Sequence, residues 1–108
     1  MKLYLFVCGA GEKRSPVAAN VAREMLQERG IDDVFTDYAG LGNFDLLKKK
    51  IRLASRIYVM EEIIKETIRD FPGVNDKEIY CLGVPSGLSN HPESLEAKLR
   101  EILAELLK

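Results

Sequence analysis

Leu3-Tyr-Leu-Phe-Val7 sets five apolar side chains in succession near the start of the chain. An amphipathic helix would interrupt such a run, and a half-exposed strand would alternate it, so it reads as a strand buried on both faces. A strand of that kind belongs inside a sheet covered by helices, which directs the chain toward α/β architectures. The run stops at Cys8, and Cys8-Gly-Ala-Gly-Glu-Lys-Arg14-Ser15-Pro16 leads into a helix-like segment from Pro16 to about Arg29. This stretch is a strand-to-helix turn. Its backbone N–H groups and the helix N-terminus point at a common anion, and a thiol and a guanidinium six positions apart share that pocket.

The remaining pattern alternates in the same way. In the first helix Val17, Val21 and Met25 recur at helical spacing beside Ala18, Ala22 and Leu26, with Ser15 expected as N-cap, Pro16 as first helical residue and Gly30 as the stop. A second strand is expected over Val34 to Tyr38 and a helix from Phe44 to about Leu53, exposing Lys48, Lys49 and Lys50 as a solvated face. Further strands are expected at Arg56 to Met60 and Glu78 to Leu82. A helix from Glu61 to Phe71 ends at Pro72-Gly73, and a last one from Pro92 to Lys108 carries Leu95, Leu99, Ile102 and Leu106 on one stripe. The expected fold is a single three-layer α/β domain over residues 1–108 with a four-stranded parallel sheet. Ligands of such sheets bind beyond the carboxyl ends of the strands, where both the Cys8 loop and the Gly83 to Asn90 loop open.

At 108 residues the chain is one domain with a real core. Its 16 basic and 17 acidic side chains give a net charge near −1, so no global field favours nucleic acid or an anionic membrane, and any anion preference is local. No apolar run approaches the ~18 residues of a membrane span. The opening apolar run stops at Cys8, short of a signal peptide, so the cytoplasm is the expected location. Cys8 and Cys81 lack metal-site spacing. One disulfide between them stays open, though a domain of this size does not need such a staple, and Cys81 reads as core packing rather than as a redox partner. No metal or cofactor is implied.

A thiolate is the reactive form of Cys, and a free thiol with a pKa of ~8.5 is mostly protonated at neutral pH. The helix N-terminus, converging N–H groups and Arg14 all favour the anion. Gly9 and Gly11 are expected to take the positive φ that a nest of inward N–H groups uses. Residues Gly9, Ala10, Gly11, Glu12, Lys13, Arg14 and Ser15 then form the phosphate-binding loop. Arg14 holds two oxygens bidentately, and Ser15 hydrogen-bonds the sulfur as well as capping the helix. Such a loop supports attack on phosphorus by Cys8 through a cysteinyl-phosphate intermediate, making Cys8, Arg14 and Ser15 the catalytic candidates.

The Cys-x5-Arg-Ser-Pro spacing after a strand resembles the low-molecular-weight protein tyrosine phosphatases, and most closely a short phosphatase-like branch. The likeness extends over Leu5-Phe-Val-Cys8, Tyr38-Ala-Gly-Leu41, Ile57-Tyr-Val-Met-Glu61, Val84-Pro85 and Pro92-Glu93. It implies the phosphotyrosine phosphatase I-like fold, Cys8 as nucleophile, Arg14 as phosphate clamp, and a phosphorylated protein or small phosphomonoester as partner. Three departures stand out. Gly11 replaces the Asn that braces the family's loop, and Glu12 adds a negative charge there. The segment Leu82-Gly-Val-Pro-Ser-Gly-Leu-Ser-Asn-His91 has no carboxylate where the family carries its general-acid Asp.

Ser86 stands in that place, and a serine hydroxyl is too weak an acid for the role; general acid catalysis typically contributes ~10²–10⁴-fold. His91 reads first as a helix-cap or surface residue, and second as the best substitute acid, ahead of Asp45 and Glu93. The expectation is a slow phosphatase, or one restricted to good leaving groups. The runner-up is a catalytically weak domain that binds phosphate or phosphorylated ligands. A cysteine phosphocarrier of the enzyme IIB type shares the length and topology but lacks the Arg14-Ser15-Pro16 continuation. An arsenate reductase would need shuttling thiols beyond Cys81. Oligomeric state and natural substrate are not readable from the chain.

Overall fold

The computed structural model describes residues 1–9 and 13–107, apart from the side chains of Asp76, Ser86 and Ser89. The apolar run becomes β1 (Lys2–Cys8), the interior strand that the sequence predicts. It is flanked by β2 (Val34–Gly40) on one side and β3 (Arg56–Val59) on the other, with β4 (Glu78–Cys81) outside β3. All pairings are parallel in the order β2-β1-β3-β4. The chain therefore steps from β1 to one side and returns to the other, so the carboxyl end of β1 is the topological switch point. Cys8 sits there, paired in register with Gly40. That pairing also carries β2 two residues beyond its expected end at Tyr38.

Alternation divides the sheet into two faces. Tyr4, Phe6, Tyr58 and Tyr80 stack on one, with ring centroids 4.8–5.8 Å apart. This face is covered by α1 (Arg14–Glu28) and α4 (Pro92–Leu106), which pack on each other. Leu5, Val7, Ile57 and Val59 face α2 (Phe44–Leu53) and α3 (Glu62–Ile68). The core is continuous, and Leu47, Ile51, Ile64, Ile68, Leu95, Leu99 and Leu103 are the largest side chains that the helices fully bury in it.

The helix ends show how local chemistry and tertiary contact divide the work. Gly30 stops α1 at φ 71°, with Gly30 N–H donating to Gln27 O and Ile31 N–H to Leu26 O. Asn43 caps α2 by accepting from Leu46 N–H. Ser15 is not the cap of α1: the helix begins at Arg14, with Lys13 in the cap position, and the Ser15 hydroxyl is drawn into the core by other partners. α3 is shorter than expected, because Glu61 is extended (φ −142°, ψ 157°) and the helix breaks before Arg69. Along α4 the buried stripe is Leu95, Leu99 and Leu103, with Ile102 and Leu106 at its margin. Lys50 is not simply solvated: its ammonium donates to Tyr38 O at 2.8 Å and pairs with Asp37 at 3.3 Å. No helix among the described residues is long and apolar enough to cross a membrane.

Candidate active site

Four chain segments meet at the carboxyl edge of the sheet. Beyond β3, Met60 N–H donates to Val7 O at 3.0 Å. Beyond β4, Leu82 N–H reaches Val59 O and Val84 N–H reaches Met60 O, both at 2.8 Å. Gly83 makes the turn between those two bonds at φ 66°, a backbone region costly for any residue with a Cβ. These bonds fix the segments after β3 and β4 against each other and against the end of β1.

Cys8 ends β1 and is buried, with its Sγ 2.9 Å from Ser15 Oγ. The thiol also lies 3.5 Å from Gly9 O, and the Ser15 hydroxyl lies 3.4 Å from Ala39 O. Ser15 thus has two acceptors within reach. A neutral thiol leaves its proton free for Ala39 O, and a thiolate draws that proton to sulfur.

Arg14 opens α1 and is buried, yet its charge is not left unmatched. Nη1 donates to Glu61 Oε1 at 2.5 Å and to Val84 O at 2.6 Å. Nη2 lies on the opposite branch, 3.8 Å from where a Cβ on Gly9 would stand. Among the described residues, Nε and Nη2 have no acceptor, so the guanidinium is anchored by one nitrogen and offers an edge to the loop. Glu61 is the site residue that spacing did not single out. Its one signal was position, a carboxylate directly beyond the carboxyl end of a strand adjacent to β1.

Other candidates separate. Gly9 does not take a positive φ, so conformational freedom is not what the position uses. Ala10, Gly11 and Glu12 lie outside the described residues, and Lys13 is exposed. His91 is exposed; its backbone C=O accepts from Leu95 N–H at 2.9 Å, while its imidazole makes no capping bond. Asp45 and Glu93 are exposed in the first turns of α2 and α4, where they complement the helix dipoles. Val84 places the segment after β4 at the clamp as a carbonyl.

Cys81 is half-buried and unpaired. It aligns with Val59, and Val59 with Val7, so its side chain shares the Val7 face while Cys8 takes the other. Two strand spacings, about 9.5 Å, separate the cysteines. A disulfide needs Cα atoms within ~7 Å. The pairing left open by sequence is excluded in this fold.

Three solved structures place the architecture. YfkJ from Bacillus subtilis superposes with a TM-score of 0.81 at 19% identity, covering 99% of this chain and 92% of that one. A protein tyrosine phosphatase from Entamoeba histolytica, in a product-state mimic, gives 0.79 at 16% identity, with 99% and 94% covered. The fold is that of the low-molecular-weight protein tyrosine phosphatases. DARP, a Drosophila arginine phosphatase, shares this phosphatase fold with a TM-score of 0.67 at 17% identity, covering 100% of this chain and 98% of that one. No protein-family model matches the chain, and no curated protein matches it. The low-molecular-weight phosphatase fold is thus built here from a sequence less than one-fifth identical to these three structures.

Proposed function

We propose that the chain is a cysteine-dependent phosphatase acting on a phosphomonoester. The observation that carries this reading is Arg14 pinned through Nη1 beside a buried Cys8, with Ser15 Oγ 2.9 Å from the sulfur. The free guanidinium edge matches two phosphoryl oxygens, and it is held in place before substrate arrives. In the first step the Cys8 thiolate attacks phosphorus; the S–P bond forms and the bond to the leaving oxygen breaks. In the second, water attacks the cysteinyl phosphate, inorganic phosphate leaves and the thiolate is restored. Ser15 donates to sulfur whenever it carries charge, at the start and the end of this cycle.

The leaving oxygen needs a proton. With no carboxylate from Leu82 to His91 and Glu61 committed to Arg14, solvent or His91 supplies it. Rates then depend steeply on the leaving group. This supports a second reading, a substrate phosphorylated on a guanidinium: such a group carries the proton that its leaving nitrogen needs. The fold shared with an arginine phosphatase makes that comparison direct.

The test is hydrolysis of p-nitrophenyl phosphate, a phosphotyrosine peptide and a phosphoarginine peptide by wild type, Cys8→Ser and His91→Ala. Turnover of p-nitrophenyl phosphate that vanishes in Cys8→Ser supports cysteinyl chemistry. No turnover of any substrate, with vanadate still bound, would replace this reading with a phosphate-binding domain. Phosphoarginine cleavage without phosphotyrosine cleavage would select the second reading. A loss in His91→Ala confined to poor leaving groups would identify His91 as the proton donor.

A further inference from the structure

Lys65 on α3, Arg69 just beyond it and Lys77 before β4 converge on a cleft at the β4 edge of the sheet. With Val74, Asn75 and Ile79 they line a cavity of about 320 Å³. It does not belong to the Cys8 site. Lys77 leads into Glu78, which pairs with Arg56 at the amino end of β3, whereas Cys8 closes the carboxyl end of β1. Ile79 aligns with Ile57 and faces the α2 and α3 layer, opposite the face of Cys8.

Among the described residues none of the three cations is in an ion pair. Of the two carboxylates that flank Lys77 in sequence, that of Asp76 lies outside the described side chains, and that of Glu78 turns to the other face, to Arg56 at 3.2 Å and the Tyr80 hydroxyl at 2.8 Å. Lys77 Nζ spends one donor on Arg52 O at 3.2 Å and keeps two. The dipole of α3 accounts for cations near its end, Lys65 and Arg69. The Arg52 carbonyl in the last turn of α2 accounts for one donor of Lys77, and no helix end accounts for Asn75. Three like charges without an ion pair among the described residues, set around an apolar floor of Val74 and Ile79, favour an anion between them.

We propose that this cleft binds an organic phosphate. The phosphoryl oxygens meet Lys65, Arg69, Lys77 and the Asn75 amide, and the apolar part lies on Val74 and Ile79. Several cations match a dianion, and the cavity exceeds what a bare phosphate fills, leaving room for an apolar body. The site is independent of the phosphatase reading and stands whether or not Cys8 turns substrate over.

The probe is phenylphosphonate, whose C–P bond resists hydrolysis, titrated into ¹⁵N-labelled Arg14→Ala protein with inorganic phosphate as comparison. We expect saturable shifts at the amides of residues 65, 69, 75 and 77, and binding about fivefold tighter than inorganic phosphate. The double variant Lys65→Gln/Lys77→Gln should weaken binding at least about tenfold with its Tm unchanged. Should Arg14→Ala not fold, the wild type resolves the same amides as a set separate from those around Cys8. Absent or non-saturating shifts would overturn the proposal. So would equal affinity for inorganic phosphate, or undiminished binding in the double variant.

Discussion

Replacing Glu61 with Ala removes the carboxylate that meets Arg14 Nη1 at 2.5 Å and leaves a 7% exposed arginine side chain with the Val84 carbonyl as its remaining anchor. Opposite unit charges ~4 Å apart attract by about 4 kcal/mol at an effective dielectric of ~20, and by about 1 kcal/mol in water. The Glu61 side chain is 37% exposed, so screening pulls the pair toward the lower figure, while the burial of Arg14 keeps it above. We take ~2 kcal/mol, which in a domain of this size lowers Tm by about 8 °C. Glu61→Gln keeps an acceptor at Nη1 without the charge, and should lose about half as much. Turnover separates the two further. An unanchored guanidinium no longer presents its free edge to phosphate, and a loosened bidentate contact costs about 10- to 100-fold in kcat/KM for p-nitrophenyl phosphate. Gln should stay within about fivefold. Thermal denaturation by circular dichroism and steady-state kinetics read both effects. An Ala variant that melts within about 1 °C of wild type and turns over within about twofold would refute the claim that Glu61 holds Arg14. The thermal arm decides this even for a chain that only binds phosphate.

Ser15→Ala deletes the hydroxyl 2.9 Å from Cys8 Sγ, and alkylation of Cys8 by iodoacetamide at neutral pH should slow about three- to tenfold; an unchanged rate would show that the contact does not serve the thiolate. Mild oxidation should produce no Cys8–Cys81 disulfide in the folded chain, and its appearance in non-reduced peptide maps would contradict the strand order. Burial pushes the Tyr58 hydroxyl above its ordinary value of 10.0, with the Arg56 hydrogen bond opposing in part. The folded state then keeps a proton that the unfolded state releases, so stability is full below pH 10 and falls as pH rises above it. Tyr58→Phe should flatten that alkaline decline in Tm, and an equally steep decline would place its origin elsewhere.

The parts of the fold written in the sequence are those set by neighbours along the chain. The Leu3 to Val7 run, the Gly30 stop of α1 and the Pro92 start of α4 depend on periodicity and backbone chemistry within a few residues. Ser15 shows where such rules fail. Local preference makes it a cap, but the tertiary partners Cys8 Sγ and Ala39 O take its hydroxyl instead. Glu61 likewise reads as a helix-start acid, and its partner lies 47 positions away. No spacing rule reaches that far. It takes the sheet order, with β3 beside β1, to set a residue just past β3 against the start of α1.

That order also explains how the proposed anion site is assembled on a chain with no positive excess. Each strand gives one group to the edge, at its end or just beyond it: Cys8 at the end of β1, the Ala39 carbonyl near the end of β2, the Glu61 carboxylate after β3, the Val84 carbonyl after β4. The last three are acceptors, and they bond the outer side of Ser15 and Arg14. Occupying those donors from outside determines which donors stay open toward the loop, namely Nε and Nη2 of Arg14. A lone buried guanidinium would seek acceptors in any direction, but one pinned at Nη1 has a fixed edge to offer. On the proposed reading, selectivity for a tetrahedral anion resides in the acceptors that ring the cation as much as in the cation itself.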